Sequence, residues 1–327
     1  MILAKAHNGA RHRRSAFTKR RLQLVLAALW GLDGLLQLQP AMFTPRFANQ
    51  VLLPVTGGQP AWVARPVTTV VHLVLHQPAA FNSAFAAIQL ALAAGLAYRR
   101  TARPALVASV VWALGVWCAG EGLGELFSGQ PTLFTGAPGA ALLYAVLALA
   151  AWPPAHPRPG EPPGSPFHEP PAAWLKWVWA ALWVGGALLL FMPWNISNDV
   201  LWQRLMDNSM AAPGWIATLN QHAANLLPAG SVALVFDLAV LQLLVGLGVL
   251  VPRRRLVQAA VAVGITLQVV YWLLGQTLGM LWSGLATDPG TAPLIILLGL
   301  AVMARSRQLA SLRRRRGHNR AAASSSR

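Results

Sequence analysis

Two glutamates in a glycine-rich stretch are the residues of this chain best suited to acid–base chemistry. Glu121 and Glu125 lie within residues 120–129, at the end of a long apolar run. Ionisable side chains inside apolar runs are costly to bury, so each is a candidate functional residue. A spacing of four would place both carboxylates on one face of a helix. Asp33, inside the first apolar run, is a third acid of this kind. We predict that Glu121, Glu125 and Asp33 are catalytic residues that move protons.

Two histidines four residues apart, His72 and His76, form the second candidate group. They lie between Pro66 and Pro78, which we expect to bracket a short helix at the membrane interface. This spacing can present two imidazoles to one metal ion or haem iron; the simpler alternative is a pair of polar tips on an interfacial helix. The histidines and the three acids are all expected at one outer surface, so we predict that they converge. The sequence does not decide whether a quinone, a haem or a divalent metal is bound there.

The composition indicates an integral membrane protein. Of the 327 residues, 55% are apolar and only 11% are charged, whereas soluble domains average roughly 25% charged. The net charge of +17 comes from short basic clusters between apolar runs, which is typical of loops that face anionic lipid. We therefore expect the lipid bilayer as partner and no nucleic acid; a membrane-protein partner or a second copy is left open. The single cysteine excludes an intrachain disulfide.

Eight apolar runs predict an all-α protein with eight transmembrane helices. The runs cover about 22–42, 81–98, 104–127, 139–152, 173–192, 231–251, 256–282 and 292–304. Short interfacial helices are expected on the outer side, after the first and fifth spans. The chain then divides into a basic cytoplasmic arm (1–21), a first half (22–152), a proline-rich cytoplasmic linker (153–172), a second half (173–304) and a basic disordered tail (305–327).

The two halves share sequence features. Residues 275–284 repeat residues 120–129 with six identities in ten, but Gln276 and Met280 replace the two glutamates. Further matches occur at offsets of 153 and 155, among them Leu29-Trp30 with Leu182-Trp183 and Ala137-Pro138 with Ala292-Pro293. These matches predict two parallel four-helix repeats, related by an axis along the membrane normal. One half has kept its acids and the other has lost them, which predicts one working site and one scaffold.

The distribution of basic residues predicts the orientation. Loops on one side of the eight-span arrangement hold 23 of the 26 Lys and Arg residues, and the other side holds only Arg46, Arg65 and Arg204. The positive-inside rule then places both termini and the linker in the cytoplasm. The chain is therefore predicted to be a multi-pass protein of the inner (plasma) membrane.

The first two spans carry a family resemblance. Residues 29–40 read Leu-Trp-Gly-Leu-Asp-Gly-Leu-Leu-Gln-Leu-Gln-Pro, and the second span ends in small residues followed by Arg99 and Arg100. These motifs resemble DoxX-like membrane proteins and cover at most the first two spans of each half. The resemblance implies four-helix membrane units and, for some members, quinone-linked sulfur oxidation. Such chains often carry an acid early in the second span, where this sequence has Asn82 in the first half and Asp237 in the second.

Three classes of function fit these features. The first is a DoxX-like, quinone- or metal-linked redox protein with its site at the outer face of the first half; there, His72 and His76 bind the metal while Glu121 and Glu125 move protons. The second is a transporter of a small solute or ion, with Asp33, Glu121 and Asp237 along its pathway. The third is a non-catalytic assembly or scaffold subunit of a membrane complex.

Overall fold

The computed structural model describes residues 17–153, 171–196, 199–227 and 232–306. Within these ranges every regular element is a helix and none is a strand, which confirms the predicted all-α class. The predicted disordered tail lies almost wholly outside the described residues. So do most of the basic arm and the proline-rich linker.

Helices occupy all eight predicted apolar runs. The longer ones are α1 (Lys19–Leu36), α2 (Ala61–His76), α3 (Pro78–Ala97), α4 (Ala102–Ala119), α5 (Ala140–Ala150), α6 (Leu175–Leu190), α7 (Val200–Ala211), α8 (Gly214–Asn225), α9 (Val232–Gly248), α10 (Arg254–Val270) and α11 (Thr291–Ser306). Shorter helical turns lie at Pro40–Phe43, Pro45–Phe47, Ala48–Leu52, Leu53–Thr56, Pro193–Asn195 and Tyr271–Gly275. The short helices predicted between the spans are therefore present, at residues 40–76 and 193–225.

Among the described residues, three helices are long and apolar enough to cross a membrane: α3, α4, and α10 with the turn that extends it to Gly275. The other apolar helices are shorter. Helix α5 has 11 residues, which span about 16 Å against a hydrocarbon layer of about 30 Å. Most of its residues are buried by protein, so α5 is a central helix with little surface for lipid. The count of eight spans stays a prediction.

Helix α2 begins earlier than its prolines suggested. It starts at Ala61, and Pro66 lies inside it, whereas Pro78 opens α3 as expected. The first four N–H groups of a helix have no partner within it. Pro66 is the sixth residue, so it lies close to this unpaired turn and removes few backbone hydrogen bonds. A stripe of valines at Val63, Val67, Val71 and Val74 fixes the buried face of α2. The free energy gained by burying these valines therefore exceeds the cost of a proline inside the helix.

The two halves share one hydrophobic core. Helix α1 packs on α3, α4 on α5, and α6 on α9. Trp30 and Tyr144 of the first half belong to the same buried cluster as Trp179, Trp183 and Leu298 of the second. Because α5 and α11 are both largely buried, the elements around them are held in fixed positions. This core forms the walls of the candidate site.

Buried positions recur at fixed offsets between helices. Leu22, Leu26, Trp30, Asp33 and Gly34 of α1 are buried, as are Leu175, Trp179, Trp183, Gly186 and Ala187 of α6, each 153 positions later. The same offset relates the buried residues of α3 and α9, including Gln89 and Gln242. In this register Asn82, which is fully buried, pairs with buried Val235. The expected pairing of Asn82 with Asp237 is therefore wrong, since Asp237 is exposed.

Candidate functional site

Both glycine-rich stretches fold into left-handed turns. In the first half, Gly122 to Glu125 have φ of 50°, 58°, 65° and 56°; in the second half, Thr277 to Met280 have φ of 48°, 50°, 68° and 52°. A left-handed residue other than glycine costs roughly 1–2 kcal/mol, so tertiary contacts must hold these turns. Helix α4 ends at Ala119, before the first turn. The prediction that Glu121 and Glu125 share one helix face is therefore wrong.

Matching contacts fix the two turns against the loops that follow. The Trp117 indole N–H donates to the Pro138 carbonyl oxygen at 2.8 Å, and the Trp272 indole N–H donates to that of Pro289 at 2.7 Å. A Cβ atom on Gly124 would overlap the Pro138 carbonyl group, so the backbones approach as closely as glycine permits. These contacts pair Pro138 with Pro289. The expected pairing of Ala137-Pro138 with Ala292-Pro293 is wrong by four residues.

The side chain at the start of each turn caps the helix that follows. The Ala141 N–H of α5 donates to Glu121 Oε1 at 3.0 Å and to Oε2 at 3.2 Å. In the second half, Gln276 Oε1 accepts from the N–H groups of Thr291 at 3.0 Å and Ala292 at 3.2 Å. Both side chains satisfy N–H groups that have no partner within the helix. An uncharged acceptor suffices at this position, so the fold does not explain the charge of Glu121.

A cavity of about 1150 Å³ lies between α1, α3, α4, α5, both left-handed turns and the segment that precedes α11. Its volume suits a drug-sized molecule. Asp33, Glu121 and Glu125 all line it. The structure thus brings the three predicted acids to one cavity, and adds Asp288 from the second half.

The charge around this cavity is of one sign. Four of the nine acids of the chain line it, although Lys and Arg outnumber acids by 26 to 9 in the whole sequence. None of the described residues that line the cavity is Lys, Arg or His. The carboxyl groups of Asp33, Glu121 and Asp288 are close enough to interact electrostatically. Such a group cannot hold three negative charges cheaply without a proton or a cation.

Burial raises the proton affinity of the acids beyond the helix ends. Desolvation, followed by the charge of Asp288, raises the pKa of Glu121 to about 8, against the opposing hydrogen bonds from Ala141 and Ala140. Desolvation also raises the pKa of Asp288, although the Thr287 hydroxyl at 2.8 Å and the Gly290 N–H at 2.7 Å donate to its carboxylate. Glu125 is more exposed than the other two acids, and partial desolvation in the cavity raises its pKa as well. The cavity can therefore hold and exchange protons near neutral pH.

Several buried polar atoms around the cavity have no hydrogen-bond partner among the described residues. They are Asp33 Oδ1, Gln37 Oε1, Gln89 Oε1, Trp112 Nε1, the Tyr144 hydroxyl and Thr291 Oγ1, all on lining residues. The Tyr144 hydroxyl lies near the Asp33 carboxyl but outside hydrogen-bonding geometry. Buried polar groups in proteins are almost always paired, so a cluster of unpaired ones indicates a ligand or water. Acceptors and donors are both present.

The histidines do not join this site. His72 and His76 are exposed on α2, off its valine face, and neither lines the cavity. Among the described residues, no group of three or more His, Cys, Asp or Glu side chains can hold a metal ion. The expected convergence of the histidines with the acids is wrong, although a weaker metal contact by the pair stays a prediction. Asp237 is also outside the cavity.

Sequence reasoning missed Asp288, Gln37, Gln89, Trp112 and Tyr144. Asp288 had one usable signal, because the Asp-Pro-Gly sequence of residues 288–290 precedes a helix as Pro138-Gly139 does. Aligning Pro138-Gly139 with Pro289-Gly290, instead of aligning the two Ala-Pro pairs, would have placed Asp288 beside a glycine-rich turn. The other four are uncharged residues in apolar helices or, for Gln37, just after one, and their spacing alone carries no signal.

In the part of the chain that the structure describes, the fold and the site define a helical protein with three candidate membrane-spanning helices and an acid-lined cavity. No protein-family profile, no curated protein and no solved structure matches the chain.

Proposed function

We propose that this chain is a multi-pass inner-membrane protein whose first half binds a small amphipathic molecule in the acid-lined cavity, as a solute-binding or transport protein would. The observation that carries this proposal is the set of buried, unpaired polar atoms around a cavity of about 1150 Å³. Ligand sites typically combine mostly apolar walls with a few convergent polar groups. Here Phe47, Phe85 and Leu92 supply apolar wall, and Asp33 and Gln89 supply polar groups.

The membrane part of the proposal rests on the surface of the helices. Only 28% of the apolar window of α4 is buried inside the protein, and Val107, Val111 and Leu114 are exposed on it. Exposed tryptophans lie at helix ends, with Trp62 in the first turn of α2 and Trp152 just beyond α5, as in an interfacial aromatic belt. We further propose eight spans in two parallel repeats, with both termini in the cytoplasm. The recurring buried positions and the two matching turns support the repeats.

Cysteine accessibility tests the proposed orientation. In a Cys118→Ser background, His72→Cys is expected to react with a membrane-impermeant maleimide on intact cells, because position 72 is exposed and on the proposed outer side. Arg253→Cys, which is also exposed, is expected to react only after lysis. The reverse pattern would overturn the orientation.

A cavity-filling variant tests ligand binding. Gly115 lines the cavity, and a Cβ atom there meets nothing within 4 Å. Gly115→Leu should therefore place a side chain in the cavity and reduce the space for a ligand, since its Cβ atom meets nothing. Gly185→Leu is the matched control, because Gly185 has the same free space but does not line the cavity. Native mass spectrometry with the neutral amphipathic probe N-phenyl-1-naphthylamine should count one bound molecule in the wild type and the control, and none in Gly115→Leu. Equal binding by all three would contradict the proposal.

A quinone is the second candidate ligand, in line with the DoxX-like resemblance. The specific observation in its favour is the pair of unpaired donors, Trp112 Nε1 and the Tyr144 hydroxyl, beside acids that can accept protons. Such donors suit the two carbonyl oxygens of a quinone. Tyr144→Phe should then weaken binding of a short-tailed benzoquinone several-fold, whereas Tyr271→Phe in the second half should not. We assign no step to a metal ion, because the described residues offer His72 and His76 no third ligand.

A further inference from the structure

We infer that the ligand of the acid-lined cavity is an organic cation: a small, largely apolar molecule with one protonated or quaternary nitrogen. This inference rests on the proposed function, since it names the chemical class of the molecule that the same cavity binds. It goes beyond that function by stating the sign of the ligand's charge.

The carboxyl groups reach the cavity from three separate parts of the chain. Asp33 lies on α1, Glu121 and Glu125 in the turn after α4, and Asp288 in the loop before α11. No described basic residue lines the cavity to offset them. Asp33 is only 2% exposed, and its Oδ1 has no partner. A buried carboxylate oxygen without a partner is unfavourable, so this group calls for a proton, a water or a cation beside it.

A single metal ion does not fit the spacing of these acids. Metal ligands must lie within about 2–2.6 Å of one ion, and no three such side chains among the described residues are that close together. A cation beside these carboxyl groups would therefore belong to a larger molecule that lies between them. Trp30, Trp112 and Phe85 line the same space, and aromatic rings attract organic cations.

The second half shows that the fold does not require these charges. Glu121, Glu125 and Tyr144 have Gln276, Met280 and Ile295 at the corresponding positions, where the same turn and helix form without them. Asp33 corresponds to Gly186. A charge that the scaffold does not need, in a cavity with unpaired polar atoms, is best explained by what the cavity binds.

A pair of probes with the same shape tests the sign of the charge. Phenyltrimethylammonium and tert-butylbenzene differ only in having N⁺ or carbon at the branch point. With the full-length protein in detergent at pH 8.5, native mass spectrometry should show the cation bound about tenfold more tightly than its neutral counterpart. Asp33→Asn and Glu121→Gln should each remove most of this preference. Glu121→Gln is expected to fold, because Gln276 makes the same hydrogen bonds in the second half.

Asp237→Asn is the matched control, since it also removes one negative charge but lies exposed outside the cavity. It should leave the preference unchanged. Equal binding of the two probes would overturn the inference and leave the proposed binding function standing. A loss in Asp237→Asn as large as that in Glu121→Gln would also overturn it, because the preference would then reflect overall charge. Failure of N-phenyl-1-naphthylamine and both probes to bind would overturn the proposed function itself.

Discussion

Around Asp33 the first half of the chain leaves a cavity, whereas around Gly186 the second half is filled by side chains. A Cβ atom at Gly186 would lie 2.5 Å from Leu133 Cδ1 and 2.7 Å from Gln242 Oε1. Leu133 comes from the first half, and its side chain is buried. The two halves therefore have similar helices but different interiors. One contains a cavity, and the other is packed with side chains.

Loop length explains this difference. Ala141 follows Glu121 by 20 positions, but Ala292 follows Gln276 by only 16. The longer first-half loop carries Leu133 and Phe134 into the second half, where Phe134 packs edge-on against Tyr271 at 5.6 Å. The shorter loop brings Asp288 to the first-half cavity and has too few residues to fill it. Each loop thus packs against the other half. Only the longer loop is long enough to fill the space that it covers.

A buried arginine holds the longer loop in place. Arg204, only 9% exposed, donates to the Gln130 carbonyl oxygen at 3.0 Å, to Asn195 Oδ1 at 2.7 Å and to Thr132 Oγ1 at 3.4 Å. Asn195 in turn donates to the Leu189 carbonyl oxygen at 2.7 Å. These bonds tie the loop to the end of α6 and to α7. The closed state of the second half is therefore built into the fold.

The largest expected effect is on the feature that the halves share. Gly124→Ala and Gly279→Ala would each place a Cβ atom on the backbone of the facing loop, at a left-handed residue. We expect each to lower the free energy of unfolding by about 3 kcal/mol or more, from strain and overpacking together. Thermal unfolding in detergent measures this. Gly115→Ala, with free space and helical backbone, should cost nothing. A large effect in only one half would show that the two turns are not equivalent.

The next effect separates the halves. Leu133→Ala should lower the free energy of unfolding by about 2–5 kcal/mol, because it empties a packed site. Leu285, in the loop of the second half, lines the open cavity and is only partly buried. Leu285→Ala should therefore cost about 1 kcal/mol or less. The comparison fails if the two substitutions shift the unfolding temperature equally.

The apolar runs predict most helix boundaries well. The prediction fails at the left-handed turns, where a helix ends although the apolar pattern continues. The predicted second span, 81–98, lies within a few residues of α3. The third was extended to 127, whereas α4 ends at Ala119. Leu123, Leu126 and Phe127 continue the apolar pattern, but a bond from Trp117 to Pro138 selects the turn. A contact across 21 residues is invisible to local periodicity.

The acids of the site were predictable because burial of charge is costly wherever it occurs. Their convergence in one cavity followed from the shared outer position of the span ends. Asp288 was not predicted, because it approaches Glu121 from a loop more than 150 residues later in the chain. The histidines were misjudged for a different reason: the valine stripe of α2 was readable in the sequence, and it already placed His72 and His76 off the buried face.

The smallest effect at neutral pH, and the sharpest test of the comparison, concerns the capping pair Glu121 and Gln276. Burial raises the pKa of Glu121 from its ordinary value of 4.5 to about 8, so the folded protein binds this proton more tightly than the unfolded chain does. The stabilisation is complete below pH 4.5 and is lost as the pH rises to about 8. Glu121→Gln should flatten the fall of the unfolding temperature across this window.

Gln276→Glu is the reciprocal substitution. The Gln276 side chain lies 3.4 Å from the Leu133 carbonyl oxygen, to which its amide donates. A carboxylate there would face an oxygen instead of bonding to it, so its protonated form is favoured and the fall with pH should become steeper. Asp237→Asn, at an exposed acid, should leave the profile unchanged. If the unfolding temperature of Glu121→Gln falls with pH as steeply as that of the wild type, then Glu121 is ionised across the whole pH range. The capping side chains of Glu121 and Gln276 would then not differ in how they respond to pH. The difference between the halves would then lie in packing alone.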